Sequence, residues 1–171
     1  MESTSLPTDA TARAVVRHLV ATLAYRAAKA LRDVEPGFAH ASFGDATRKP
    51  VVIVAHMADL IAWAISVTHG AYDWKAKGTV DWNAEVARFF DNLTKLDVAL
   101  ASTAAEGSIE KLIQGPLADA LTHVGQLAML RGMAGKPVRP ESYARAEIVA
   151  GRVGLNQAPP GREFDGDASA R

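Results

Sequence analysis

A chain of 171 residues, 49% hydrophobic and 22% charged, carries enough apolar material for one core of ordinary size and lies far from disordered composition. Lys+Arg and Asp+Glu both number 19, so no net charge draws the chain toward nucleic acid or an anionic membrane surface. The lack of cysteine excludes disulfides, zinc ribbons and a thiol nucleophile of the chain's own, leaving an oxygen, a water or an imported thiol for any nucleophilic chemistry.

Met1 to Asp9 is polar and acidic and lacks the basic and apolar regions of a secretory signal, so a cytoplasmic protein is expected. The first helix-length block runs from about Thr8 to Asp33. Its Ala12, Val16, Leu19, Leu23 and Ala27 alternate three-four spacings along one stripe, and Glu35-Pro36-Gly37 ends it. A polar loop with Phe38 and Phe43 leads to Pro50, which suits the first position of a second helix ending near Gly70. Its apolar stretch, Val51 to Val67, is interrupted by His56 and Asp59 and is short for a membrane span. Val51-Val52-Ile53-Val54 alone reads as a strand, but the helical pattern continues through it.

Asp81 and Asn83 are alternative N-caps for a third helix, in which Val86, Phe89, Phe90, Leu93, Leu96 and Leu100 keep helical spacing. Gly115-Pro116 opens a fourth, closed by Gly132, Gly135 and Pro137. Blocks of roughly 18 to 26 residues, or about 27 to 39 Å of helix, predict a single all-α domain over residues 1–171, an antiparallel four-helix bundle with its core at about 8–138. The extension 139–171 is expected to hold a short helix over Glu141 to Ala150 and a loose tail over Asp165 to Arg171.

At about 100° per residue, His56 shares a face with Val52, Ile53, Leu60, Trp63 and Val67, the stripe expected to meet the core. His18 and His69 lie away from such stripes, and His40 is in a loop. His123 follows Asp119 by four residues, so the two project from adjacent turns of one face, which Gln126 and Leu130 extend. Two imidazoles and a carboxylate suffice to hold zinc or non-haem iron with a position left open. Spacing leaves a second reading of Asp119 and His123 as a solvated pair, because Leu117, Leu121, Val124 and Ala128 form a competing stripe on the opposite side. Met129, Leu130 and Met133 beside the pair speak against solvation, and the second stripe then needs cover from the C-terminal segment or a partner subunit.

The run Val54-Ala-His56-Met-Ala-Asp59-Leu-Ile-Ala-Trp63 resembles the second helix of the DinB/YfiT-like superfamily, in which a histidine precedes an Asp and a Trp. Asp119-Ala-Leu-Thr-His123-Val-Gly125-Gln126-Leu is similar to that superfamily's fourth-helix signature, and Gly135-Lys-Pro137 to its ending. The resemblance spans roughly Thr8 to Val138. It implies a four-helix bundle with one long crossover, often a homodimer, with a divalent metal near one end on three histidines. Those positions correspond to His56, 119 and His123, and Asp119 is a departure from the usual histidine.

Members of that superfamily include thiol-dependent S-transferases, a maleylpyruvate isomerase and metal hydrolases. The resemblance implies a metal-dependent enzyme acting on a small molecule, with Zn, Ni, Fe or Mn on His56, Asp119 and His123 and a low-molecular-weight thiol as a candidate co-substrate. Asp59, one turn beyond His56, is a candidate to orient that imidazole, and Gln126 to hold a water or substrate. Arg131 and Arg152 are candidates to receive an anionic substrate. The competing reading is a non-catalytic stress-response or small-molecule-binding bundle with a vestigial metal site. The scattered basic residues supply no nucleic-acid platform.

Overall fold

The computed structural model describes residues 10–102 and 107–164. The expected helix start at Thr8, the polar Met1 to Asp9 segment and the tail from Asp165 lie outside the described residues. Within them the chain forms four long helical rods and no strand. These are α1 (Ala10–Leu31), α2 (Pro50–Thr68), α3 (Trp82–Ala101), and a last rod in which α4 (Ile109–Leu112), a π-helical turn (Ile113–Leu117) and α5 (Ala118–Met133) follow without a break.

Local chemistry accounts for most helix ends. Pro50 opens α2, where its missing N–H costs nothing and its fixed φ suits the first turn. Asp81 rather than Asn83 caps α3, its carboxylate accepting from the Ala84 N–H at 2.9 Å. Gly135, at φ 80°, closes α5 in the left-handed region that glycine enters most readily.

The last rod departs from expectation at its start. Ser108 caps α4 by accepting from the Lys111 N–H, so the rod begins a full turn and a half before Gly115-Pro116. Those two residues instead sit inside the π turn. Proline cannot donate to the ladder and its ring crowds the carbonyl four residues back, and a wider turn accommodates both effects. The extra residue turns α5 by about 100° relative to α4.

Packing contacts run from α1 to α3, α3 to α2, α2 to α5 and α5 back to α1, so α1 and α2 face each other across a diagonal, as do α3 and α5. Residues 32–49 make the first diagonal crossing, with Phe38 buried against Phe43 and Trp82. The core is filled by Leu23, Met57, Ile61, Phe89, Leu93, Leu96, Leu127 and Leu130, all fully buried. Alanines 21, 24, 27 and 28 let α1 lie close to its neighbours. α2 is long and apolar enough to cross a membrane, yet 67% of its apolar window is buried within the protein. Its hydrophobicity is that of a core helix.

The C-terminal extension contains one three-residue 3-10 turn, Tyr143–Arg145, in place of the helix expected over Glu141 to Ala150. Its polar groups bond elsewhere. Ser142 N–H donates to the Arg162 carbonyl, Phe164 N–H to that of Pro140, and the Glu141 carboxylate accepts from Tyr25 and Lys29 of α1, each at 2.7 Å. Val138 and Tyr143 of the strap line one cavity of about 310 Å³ with Leu121, Val124 and Ala128, so the second apolar stripe of α5 faces the C-terminal segment across that cavity.

Candidate metal centre

His56, Asp119 and His123 come together across the seam between α2 and α5. One ligand atom from each lies within 4.8 Å of the others. The Asp119 carboxylate joins the two rings, Oδ1 lying 3.3 Å from His123 Nε2 and Oδ2 3.5 Å from His56 Nε2. The ring centroids are 4.9 Å apart and nearly perpendicular. Bonds of about 2.0–2.1 Å around a tetrahedral zinc would set neighbouring ligand atoms about 3.3 Å apart. The donor set suits a divalent cation, which the group could hold once its donors, now spread over as much as 4.8 Å, draw together.

The two readings of Asp119 and His123 resolve into a boundary position. His123 is 7% exposed and continues the buried edge of α5 formed by Leu127 and Leu130. Asp119, one turn earlier, keeps 45% of its side chain in contact with solvent. His56 also sits at a margin. The buried face of α2 centres on Val54, Met57, Ala58, Ile61 and Ala64, while Val52 on the His56 side is 41% exposed. The site is therefore a rim feature, with core on one side and a cleft on the other.

Gln126 places its Oε1 2.8 Å from His123 Nδ1. With the amide oxygen as acceptor, Nδ1–H donates and the Nε2 lone pair points toward Asp119 and His56. Burial, the largest influence, pushes the His56 pKa below its usual value, and the neighbouring His123 adds to this against the opposing pull of Asp119. A neutral imidazole at neutral pH is the form that ligates.

Asp59 does not take the position expected of it beside His56. Its Oδ1 accepts from Arg88 Nη1 of α3 at 2.6 Å and from the Lys77 N–H at 3.1 Å. Arg88 also donates to Glu85 and to the Ala55 carbonyl, and Glu85 accepts from the Thr79 N–H. This network fastens residues 77–79 onto α2, where a Cβ on Gly78 would lie 2.7 Å from that of Ala55. Asp59 thus anchors the loop between α2 and α3.

That loop supplies a residue the sequence reading missed. Trp74 stacks edge-on against His56 at 5.6 Å and against Trp63 at 5.9 Å, forming an aromatic wall beside the imidazole. No periodicity marks a loop tryptophan, so only the path of the loop reveals it.

The arginines proposed as substrate receivers are engaged elsewhere. Arg131 is 7% exposed and donates to the Lys29, Ala30, Arg32, Asp33 and Lys136 carbonyls, clamping the end of α1. Arg152 pairs with Glu147. The cation beside the site is Arg48, which lines a cleft of about 540 Å³ with Thr47, His56, Asp119, His123 and Gln126. No family model, curated protein or solved structure matches the chain.

Proposed function

We propose that the protein is a metal-dependent enzyme of the hydrolase or thiol-dependent transferase type, built as an antiparallel DinB-like four-helix bundle. The observation that carries this reading is the convergence of His56, Asp119 and His123 from two helices on one point at the head of a cleft. A divalent cation there supplies Lewis acidity and acidifies a water or a small-molecule thiol near neutral pH. Zn, Ni, Fe and Mn all accept such a donor set.

The chain's own residues have distinct tasks in this reading. His56 and His123 present neutral nitrogen donors, and Asp119 supplies the negative charge that offsets the cation. Gln126 holds the His123 ring at one tautomer. Trp63 and Trp74 shield the imidazole side from bulk water. A cytoplasmic homodimer acting on a small molecule accords with the superfamily that the two helical motifs resemble.

A second reading has one observation in its favour. Asp119 lies within ion-pair distance of both imidazoles, so protonation of one ring would give a self-satisfied polar cluster that fixes the α2–α5 register without metal. Metal analysis separates the two. Untagged protein carrying less than about a tenth of an equivalent of metal, with no rise in melting temperature on adding Zn, Ni, Mn or Fe, rejects the enzyme reading, since ligation near saturation adds a few kcal/mol.

A further inference from the structure

We infer that Arg48 is the specificity-determining residue of the cleft and that the substrate is a small organic carboxylate whose apolar part lies along α2. The inference rests on the metal-site reading for the position of the reacting end and on the cavities for the rest. Two cavities meet at His56. The one of about 540 Å³ contains His56, Asp119 and His123; the other, about 670 Å³, runs between α2 and the α2–α3 loop along Val52, Ala55 and Val80. Both volumes lie in the range of small-ligand sites, about 300–1,000 Å³. Arg48 lines both of them.

Its side chain is exposed and makes no hydrogen bond or ion pair with any described residue. That sets it apart from Arg17, Arg88, Arg131 and Arg152, each of which is bonded within the protein. A guanidinium facing a cleft with its donors uncommitted matches a carboxylate through two parallel N–H···O bonds. Asp119 is the lone acid lining the first cavity, and its oxygens lie against the two imidazoles without an ion pair to Arg48. The second cavity offers Val52, Ala55, Ala76 and Val80 to an uncharged tail, and the one acid in its lining, Asp59, is already held by Arg88.

The test is calorimetric titration of the zinc-loaded full chain with 3-phenylpropionate, its neutral amide and phenyl phosphate, alongside zinc content and melting temperature. The wild type is expected to hold the acid about tenfold more tightly than the amide. Arg48→Ala should bring the acid down to the amide, with zinc content and melting temperature unchanged, and Arg48→Lys should restore part of the difference. Undiminished preference in Arg48→Ala overturns the inference, as does equal or absent binding of acid and amide to the wild type. Tighter binding of phenyl phosphate than of the acid overturns the carboxylate assignment. A preference for the acid that vanishes in Arg48→Ala while zinc content stays below about a tenth of an equivalent sinks the metal reading and leaves the role of Arg48 standing.

Discussion

The side-chain oxygen of Gln126 sits 2.8 Å from Nδ1 of His123, three residues back on the same helix face. With the amide oxygen accepting, Nδ1 carries the proton and the Nε2 lone pair is the one that faces Asp119. Replacing Gln126 by Ala is expected to weaken zinc binding about 10- to 100-fold while leaving helicity intact. Competition against a chromophoric chelator measures it; unchanged affinity would show that the ring is oriented by packing alone.

His123→Ala removes one of three donors and is expected to abolish metal uptake with little loss of far-ultraviolet circular dichroism. The substitution leaves α5 with Ala, the strongest helix former. Unfolding of the variant would mark His123 as a packing residue and count against the metal centre.

The Arg131 guanidinium answers five carbonyl groups, those of Lys29, Ala30, Arg32, Asp33 and Lys136, in buried or part-buried contacts. Arg131→Met should destabilise the fold by about 2–4 kcal/mol in urea titration, because buried acceptors lose their partners. Arg131→Lys keeps the charge and loses the fork, so only partial recovery is expected.

Acid should loosen the C-terminal strap. Burial pushes the Glu141 carboxyl upward, but the hydrogen bonds from Lys29 and Tyr25 outweigh it and hold its pKa below the usual carboxylate value. A folded-state pKa below the unfolded one gives a contribution fully present above the unfolded value and lost as pH falls through the folded one. Glu141→Gln should therefore lower the melting temperature at pH 7 and flatten its decline below about pH 4.5. A variant that tracks the wild type at every pH would refute the role assigned to this ion pair.

Much of this architecture is legible in the sequence because it is set by local signals. Pro50, Asp81 and Gly135 act within a turn of themselves, and the apolar periods of α1 and α3 need no distant partner to be recognised. Helical spacing puts His56 on an apolar stripe, whereas it leaves Asp119 and His123 open to a solvated reading that only the family resemblance turns inward. What stayed hidden depends on the path of the chain in space. Asp59 resembles a ligand partner until Arg88, 29 residues away, takes its carboxylate. Arg131 reads as a candidate receiver of an anionic substrate until the end of α1 arrives over it. Trp74 and Arg48 sit in loops, where no helical period assigns a direction. The strap fails as a helix for the same reason, its glutamate being claimed by Tyr25 and Lys29, more than a hundred residues earlier.

The ring of contacts α1–α3–α2–α5 divides labour within the bundle. Every group placed at the cleft comes from α2, α5 or the loops beside them. α1 and α3 meet across a fork in which Arg17 grips both oxygens of Asp97, at 3.0 and 2.9 Å. Thermal robustness should therefore be adjustable on the α1–α3 seam without altering the cleft. A reporter dye or a fusion partner attached along the outer surface of those two helices would leave the cleft as it is.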